Sequence, residues 1–334
     1  MKQNLGYIGS KYSLLNFIHE IIKENIPDLQ NKSFCDIFSG TNIVSIYFKD
    51  KVKKVISNDL EYYSYVLAKA YLNNNILYQY QINELNNLPP IKSKFYNFYA
   101  ENGESNRLYF NEENGSKIEA IRIELEILKN TPEYYYLLTS LLEASDRVAN
   151  TTSVYGAFLK KVKKSAQKNI ELKTLNIKKV DNQVNDSYNE DANTLIKRIK
   201  GDILYIDPPY NHRQYGSNYH ILNTIAKYDF TIKPKGVTGI MEYNKSDYCS
   251  KVKAKETFED LISNAKFEHI FISYNNEGII KKKEFEEILS KFGKLKIYEQ
   301  PHKTYKADSQ RNNKSKNTIE YLFYLKKTKI YNGL

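Results

Sequence analysis

Several kinds of chemistry have too few residues to work with. Cys35 and Cys249 are the only cysteines and lie far apart, which leaves neither a disulfide framework nor the paired spacing of a zinc site. His212 and His220 stand eight positions apart with no third ligand beside them, so no metal is expected. No apolar run approaches the ~18 residues of a membrane span. Residues 1–5 lack the apolar core of a signal peptide. These absences point to a cytoplasmic chain with no membrane partner. Arginine is scarce as well, at six of the 50 basic residues.

Lysine is plentiful. The formal net charge is +11 and the sequence pI about 9.1, a balance that suits a polyanionic partner. Asparagine, isoleucine and tyrosine are abundant too, the pattern of an AT-rich coding sequence, so the position of the charge says more than its sum. With 334 residues and 41% hydrophobic composition, the chain can form one large domain or two ordinary ones.

The stretch Gly201 to Asn211 organises the rest. Ile203 to Ile206 read as a buried parallel strand, which Asp207-Pro208-Pro209-Tyr210 must end, because two prolines cannot continue a ladder. In an open α/β sheet that edge is where ligands bind. A carboxylate, a proline carbonyl and an aromatic face lie side by side there. Together they can hold an amino group on a flat ring, two acceptors taking its N–H bonds while the tyrosine stacks. A proline-rich turn after a core strand is the plain alternative.

Upstream, a strand ending near Asp36 runs into Phe38-Ser39-Gly40-Thr41-Asn42 and then an apolar helix. This is a Rossmann-like first βα turn, where small residues let the backbone approach a ligand. The usual second glycine is missing, but asparagine tolerates the left-handed backbone such a turn needs. A second strand ends at Asp59, nineteen residues after Gly40, a distance that suits a carboxylate on a ribose diol; Glu61 is the alternative. Lys11, in a glycine-containing loop before a helix capped by Ser13, sits in an anion-friendly place.

After a helix over 62–75, the next strand of this kind does not come until about residue 184, its closing Asp191 sixteen residues before Asp207. The gap reads as an insert over 76–180, mostly helical (118–129 and 132–146), with loops at 86–94 and 101–117. Residues 1–75 and 181–334 then form one α/β domain. The end of the insert, from Arg147 to Phe158, is rich in hydroxyl and amide groups. Asn150 there is a candidate to read a base edge, and Lys160, Lys161 and Lys163 to contact phosphates; a solvated lysine-rich face is the alternative. Glu190 or Asp191 closes the third strand before a helix over 192–200, and strands are expected over 267–275, 294–299 and 319–325. The basic loop 302–316 is a second candidate for nucleic-acid contact.

Asp-Pro-Pro-Tyr after an apolar strand resembles the catalytic motif of S-adenosylmethionine-dependent adenine-N6 DNA methyltransferases. Asp-Pro-Pro-Tyr-Asn-His-Arg-Gln-Tyr over 207–215 resembles their Dam-like (class alpha, D12-type) sub-group, often paired with restriction endonucleases. The resemblance implies a Rossmann-like methyltransferase fold, with a mixed, mainly parallel sheet and an inserted, mostly helical target-recognition domain. It implies methyl transfer from S-adenosylmethionine to a flipped-out adenine in double-stranded DNA, without a metal. A cognate restriction endonuclease would share the cell without a required complex. Asp207, Pro208, Pro209 and Tyr210 would be catalytic. Tyr7, Lys11, Asp36, Phe38, Ser39, Gly40, Thr41, Asn42, Asp59, Glu190 or Asp191, and Asp207 would line the cofactor site. Asn150, Tyr155, Lys160, Lys161, Lys163, Arg213, Gln214, Tyr215, Lys303, Tyr305, Lys306 and Arg311 would meet DNA. An RNA or other amine or amide methyltransferase, or a non-catalytic DNA-binding protein on the same fold, are the alternatives.

Overall fold

The computed structural model describes residues 5–303 and 317–328. A short 3-10 turn, capped by Ser10 rather than Ser13, leads into α1 (Leu15–Asn25). The Rossmann-like start follows as β1 (Ser33–Asp36), α2 (Ile43–Phe48), β2 (Lys54–Asn58) and α3 (Tyr62–Leu72). Four helices come next: α4 (Gln79–Asn87), α5 (Lys94–Tyr99), α6 (Glu112–Leu125) and α7 (Pro132–Val148). The chain returns through β3 (Asp186–Tyr188), α8 (Ala192–Leu195) and β4 (Lys200–Ile206), then α9 (Tyr215–Asn218) and α10 (His220–Lys227). It ends with α11 (Ala254–Asn264), β5 (Lys266–Asn275), α12 (Lys282–Leu289), β6 (Gly293–Lys303) and β7 (Asn317–Lys327).

Seven strands make one sheet in the order β3-β2-β1-β4-β5-β7-β6. The first five in that row are parallel; β7 is antiparallel to β5 and to β6. The chain runs outward one way from β1 and the other way from β4, so the order reverses between these two strands. That reversal opens a crevice at their carboxyl ends, and Asp36 and Asp207 stand on its two sides. The strand expected over 319–325 is β7, antiparallel to the preceding β6 as in a hairpin, and it lies between β5 and β6 with β6 at the edge.

The segment 76–180 is mostly helical, as expected, but differs in its second loop. Residues 79–87 and 94–99 are helical, and the expected loop 101–117 gives way to α6 from Glu112. Its helices pack into a buried cluster shared with the rest of the chain. Tyr134, Leu138 and Leu141 of α7 belong to the same buried cluster as Val66 and Leu67 of α3 and Ile221 and Ile225 of α10. Sequence periodicity marks which face of a helix is apolar, not what it packs on. α7 starts as its residues dictate: the Thr131 hydroxyl accepts from the Tyr134 N–H at 3.1 Å, and Pro132 occupies the first turn.

Arg122 of α6 bolts this segment to α10. It is 1% exposed. Its guanidinium donates to the carbonyls of Ile225 (2.7 Å) and Ala226 (3.1 Å) and to the Tyr134 hydroxyl (3.0 Å), and pairs with Glu126. Those carbonyls end α10 and have no partner further along that helix. Replacing Arg122 with Met should therefore lower the unfolding free energy by about 3 kcal/mol, read from urea denaturation. A change below about 1 kcal/mol would mean that these carbonyls are satisfied in another way.

Candidate active site at the sheet's carboxyl edge

A cleft over the β1/β4 crevice is lined by the 7–11 loop, the 36–44 turn, residues 58–61 and 190–192, Tyr205, residues 207–210, Gln214, Tyr215, Ser246 and Tyr248. It thus gathers Tyr7, Lys11, Asp36, Phe38, Ser39, Gly40, Thr41, Asp59, Glu190, Asp191, Asp207, Pro208, Pro209, Tyr210, Gln214 and Tyr215, which lie apart in the sequence.

The 36–42 turn is built as the residue types require. Gly40 has φ +51°, and a Cβ there would come within 3.1 Å of the Tyr7 ring. Asn42, where the second glycine was missing, has φ 61° and ψ 16°. Its side chain is fully buried and fixes the turn: Nδ2 donates to the Ser64 carbonyl (2.9 Å), and Oδ1 accepts from the Ser57 hydroxyl (2.6 Å). Asn42 therefore lies behind the turn, outside the lining of the cleft. Asp59 accepts the Gly40 N–H on one oxygen (2.7 Å) and the Glu61 N–H on the other (2.9 Å).

Asn58, which no pattern in the sequence singles out, ties three strand ends together. Its amide donates to the carbonyls of Ile37 and Glu190, each at 3.1 Å, and accepts from the Glu190 N–H at 3.1 Å. Of the two acids at the third strand end, Asp191 caps α8 through the Thr194 N–H (2.9 Å), and Glu190 pairs with Arg198. The expected helix over 192–200 ends at Leu195.

Charge is concentrated here. Lys11 is 5% exposed, and its ammonium meets Asp207 Oδ1 at 2.7 Å and donates to the Gly9 carbonyl at 3.2 Å. Burial pushes the Asp207 carboxyl up to about 6 against the pull of Lys11. The same pair, with Glu320 adding to it, holds the Lys11 ammonium above its ordinary value in spite of burial. Burial pushes Asp36 to about 7, Asp59 to about 6 and Glu61 to about 7. Asp36 accepts the Ser45 hydroxyl on Oδ2 at 2.9 Å, while its buried Oδ1 has no hydrogen-bond partner.

Aromatic rings frame the opening. Tyr7 stacks on Tyr219 (centroids 4.4 Å apart) and Tyr215 (5.4 Å). Tyr210 meets Tyr274 edge-on, and its carbonyl accepts from the Ile279 N–H at 3.0 Å. This brings the 273–278 turn against the turn of Asp207. Gln214 clamps the long 229–253 connection by exchanging two hydrogen bonds with Ser246 (3.1 and 2.8 Å).

Three residues expected at DNA are placed otherwise. Asn150 is fully buried; its amide donates to the carbonyls of Leu108 and Leu159 and accepts from the Lys163 N–H, each at 3.0 Å. Tyr155 is fully buried with its hydroxyl on Asp146 Oδ1 at 2.8 Å. The Lys163 ammonium donates to the Thr151 carbonyl at 2.6 Å. The side-chain polar groups of Asn150 and Tyr155 are satisfied inside the fold, while Lys163 is half-buried with its ammonium on a backbone carbonyl. Lys160, Lys161 and Arg213 are exposed. Lys303 ends β6, whereas Tyr305, Lys306 and Arg311 lie outside the described residues.

The family model described as D12 class N6 adenine-specific DNA methyltransferase matches residues 7–288. Over 97% of its length the chain is 48% identical to the type II methyltransferase M.NlaIII of Neisseria lactamica, and covers 100% of that protein. It is 38% identical to the type II methyltransferase M.CviAII of Paramecium bursaria Chlorella virus 1, over 96% of this chain and 98% of the relative. It is 41% identical over 97% of its length to the type II methyltransferase M.FokI of Planomicrobium okeanokoites, of which it spans 53%.

The Asn42 geometry yields a paired test. Asn42→Gly keeps the backbone freedom and loses the side-chain bonds; Asn42→Ala loses both. Alanine should be the more destabilising of the two by about 1 kcal/mol, read from denaturation midpoints. Equal effects would mean that the left-handed backbone is not what selects asparagine there.

Proposed function

The chain belongs to the D12 class of N6 adenine-specific DNA methyltransferases, and from that premise we propose which residues hold the methyl donor, the target base and the DNA. The family match sets aside the RNA, amide and non-catalytic alternatives. The family implies S-adenosylmethionine as the donor, which supplies a sulfonium methyl group open to in-line attack.

The cleft suits that cationic molecule chemically. Asp36 and Glu61 are buried carboxylates and Asp59 a half-buried one, and the orphaned Asp36 Oδ1 is an acceptor awaiting a donor or a positive charge. Asp59 and Glu61 retain lone pairs for the ribose hydroxyls. The small residues Ser39, Gly40 and Thr41 let the backbone close on it, and Tyr7, Phe38 and Tyr248 supply apolar faces.

The turn at the β4 end carries the reading. An adenine amine is a poor nucleophile because its lone pair is delocalised into the ring. Asp207 and the Pro208 carbonyl accept its two N–H bonds and favour a pyramidal nitrogen. Lys11 engages Asp207 Oδ1, keeps the carboxylate ionised in its buried setting, and leaves Oδ2 for the amine. Pro209 stiffens the turn and Tyr210 holds the ring by stacking. Rate comes from placement and from acceptors fixed in advance. The amine proton leaves late, to water.

The segment 76–180 is the target-recognition region in this reading. The irregular, exposed 152–161 stretch, with Lys160 and Lys161, and Arg213 after the catalytic turn supply cations for phosphates. The relatives' description as type II methyltransferases supports a role as the modification part of a restriction-modification system, with a cognate endonuclease in the same cell and no required complex with it.

Modification-sensitive sequencing of DNA from cells expressing the chain should show N6-methyladenine at one recurring sequence, absent with Asp207→Ala. In purified protein, Asp207→Asn should lower kcat roughly 10²–10³-fold while donor affinity stays near wild type. Wild-type kcat/KM should fall as pH drops through about 6, where Asp207 takes up a proton. Full activity in the variant would sink the assignment. Charge reversal at Lys160 and Lys161 should weaken DNA binding and reduce its log–log salt slope by about 0.9 for each phosphate no longer neutralised. An unchanged slope would mark these lysines as merely solvated.

A further inference from the structure

Asp146, near the end of α7, has no place in the proposed chemistry, yet it joins two loops that do. Its Oδ2 accepts the Gly6 N–H at 2.7 Å, and its Oδ1 accepts the Tyr155 hydroxyl at 2.8 Å. Gly6 opens the loop that places Tyr7 over Gly40 and Lys11 on Asp207. The Ile8 N–H, two residues on, donates to the Tyr219 hydroxyl at 2.8 Å. The loop is thus hung from hydrogen bonds to distant side chains, not from a ladder of its own.

Tyr155 is fixed at every polar group. Besides the hydroxyl, its N–H donates to the Asn218 carbonyl at 2.7 Å, and its carbonyl accepts from the Tyr109 hydroxyl (2.8 Å) and stands 2.9 Å from His220 Nε2. Asn218 closes the short helix that follows the catalytic turn. On either side of Tyr155 the chain is exposed at Thr152, Ser153, Gly156 and Ala157, and again at Lys160 and Lys161. One buried tyrosine therefore pins an exposed basic stretch to both the Lys11 loop and the catalytic helix.

We infer that Asp146 and Tyr155 are a positioning pair, through which DNA seated on residues 152–161 sets the 6–11 loop against the cofactor cleft. The inference rests on the reading of 152–161 as a DNA surface. A displacement of Tyr155 moves its hydroxyl against Asp146, and Asp146 carries the Gly6 N–H with it. An ionised carboxylate accepting both bonds holds them more tightly than a neutral acceptor would. DNA and cofactor then bind cooperatively, and linkage requires each to raise the other's affinity by the same factor.

Tyr155→Phe tests this with the loss of one oxygen atom. The measurement is the dissociation constant of S-adenosylhomocysteine, with and without a saturating duplex carrying the sequence the enzyme modifies. Wild type should bind it several-fold more tightly with DNA present, within the ~5–150-fold range of coupled sites. In Tyr155→Phe the ratio should collapse toward one, although affinity for each ligand alone persists; Asp146→Asn should lower it part of the way. A wild-type ratio of one overturns the proposal. So does a Tyr155→Phe protein that is less heat-stable but keeps the wild-type ratio, because the hydroxyl would then only pack. If charge reversal at Lys160 and Lys161 leaves DNA binding intact while Tyr155→Phe still abolishes the ratio, the DNA surface has been misplaced and the pair stands.

Discussion

The Lys11–Asp207 ion pair is the interaction on which the site depends. A carboxylate at the end of a buried strand is costly to keep ionised, yet only the ionised form offers acceptors on both oxygens. Lys11 answers that charge at 2.7 Å, from a loop more than 190 residues away in sequence. The pair needs both partners held without slack. Strand β4 and its two prolines fix Asp207. The loop of Lys11 has no such frame and relies on Asp146, Tyr219 and its own 3-10 turn.

The rest of the carboxyl edge is arranged on the same logic. Each loop leaving a strand is tied to its neighbour by a side chain, not by the sheet. Asn58 joins the ends of β1, β2 and β3; Asp59 holds the Gly40 amide; Asn42 reaches back to Ser57 and Ser64. Short polar residues serve well here because they bond to backbone at close range without long flexible stems. The outcome is an edge whose backbone amides and carbonyls are largely satisfied before any ligand arrives, which lowers what a ligand must organise on binding.

Features set by local rules could be read from the sequence. The apolar run before Asp207, the double proline, the Gly40 turn and the spacing to Asp59 each depend on a few adjacent residues. Asn42 was legible for the same reason: the tolerance of asparagine for a left-handed backbone is a property of the residue. Features set by distant contacts were not legible. Nothing in the residues around Asn58 or Asp146 announces partners about 130 or 140 positions away. Asn150 and Tyr155 lie buried, not at the surface where they were expected, because a polar, basic composition does not say which way a side chain points. The 76–180 helices were recognisable as helices, but Glu119 and Arg122 sit buried among α6 neighbours, so that helix shows little of the polar–apolar contrast by which a buried face is identified.

Packing Asp36, Asp59, Glu61 and Asp207 into one cleft couples ligand binding to stability. Each has its carboxyl raised by burial to between about 6 and about 7. The folded state therefore holds these protons more tightly than the unfolded chain does. What the four contribute to stability is largest below about pH 4 and is lost as pH rises through their folded values. Near neutrality the cleft carries negative charge that Lys11 answers directly at Asp207 and that hydrogen bonds from Gly40, Glu61, Asn223 and Ser45, with the more distant Lys227, answer in part at the other three. In the proposed function, a donor bearing a sulfonium and an ammonium group would relieve that strain by binding, and would stabilise the folded state as it did so. Under the proposed function, the feature that weakens the ligand-free edge is thus the one that would favour a cationic methyl donor, while the Lys11–Asp207 pair would leave the remaining carboxylate oxygen for the base.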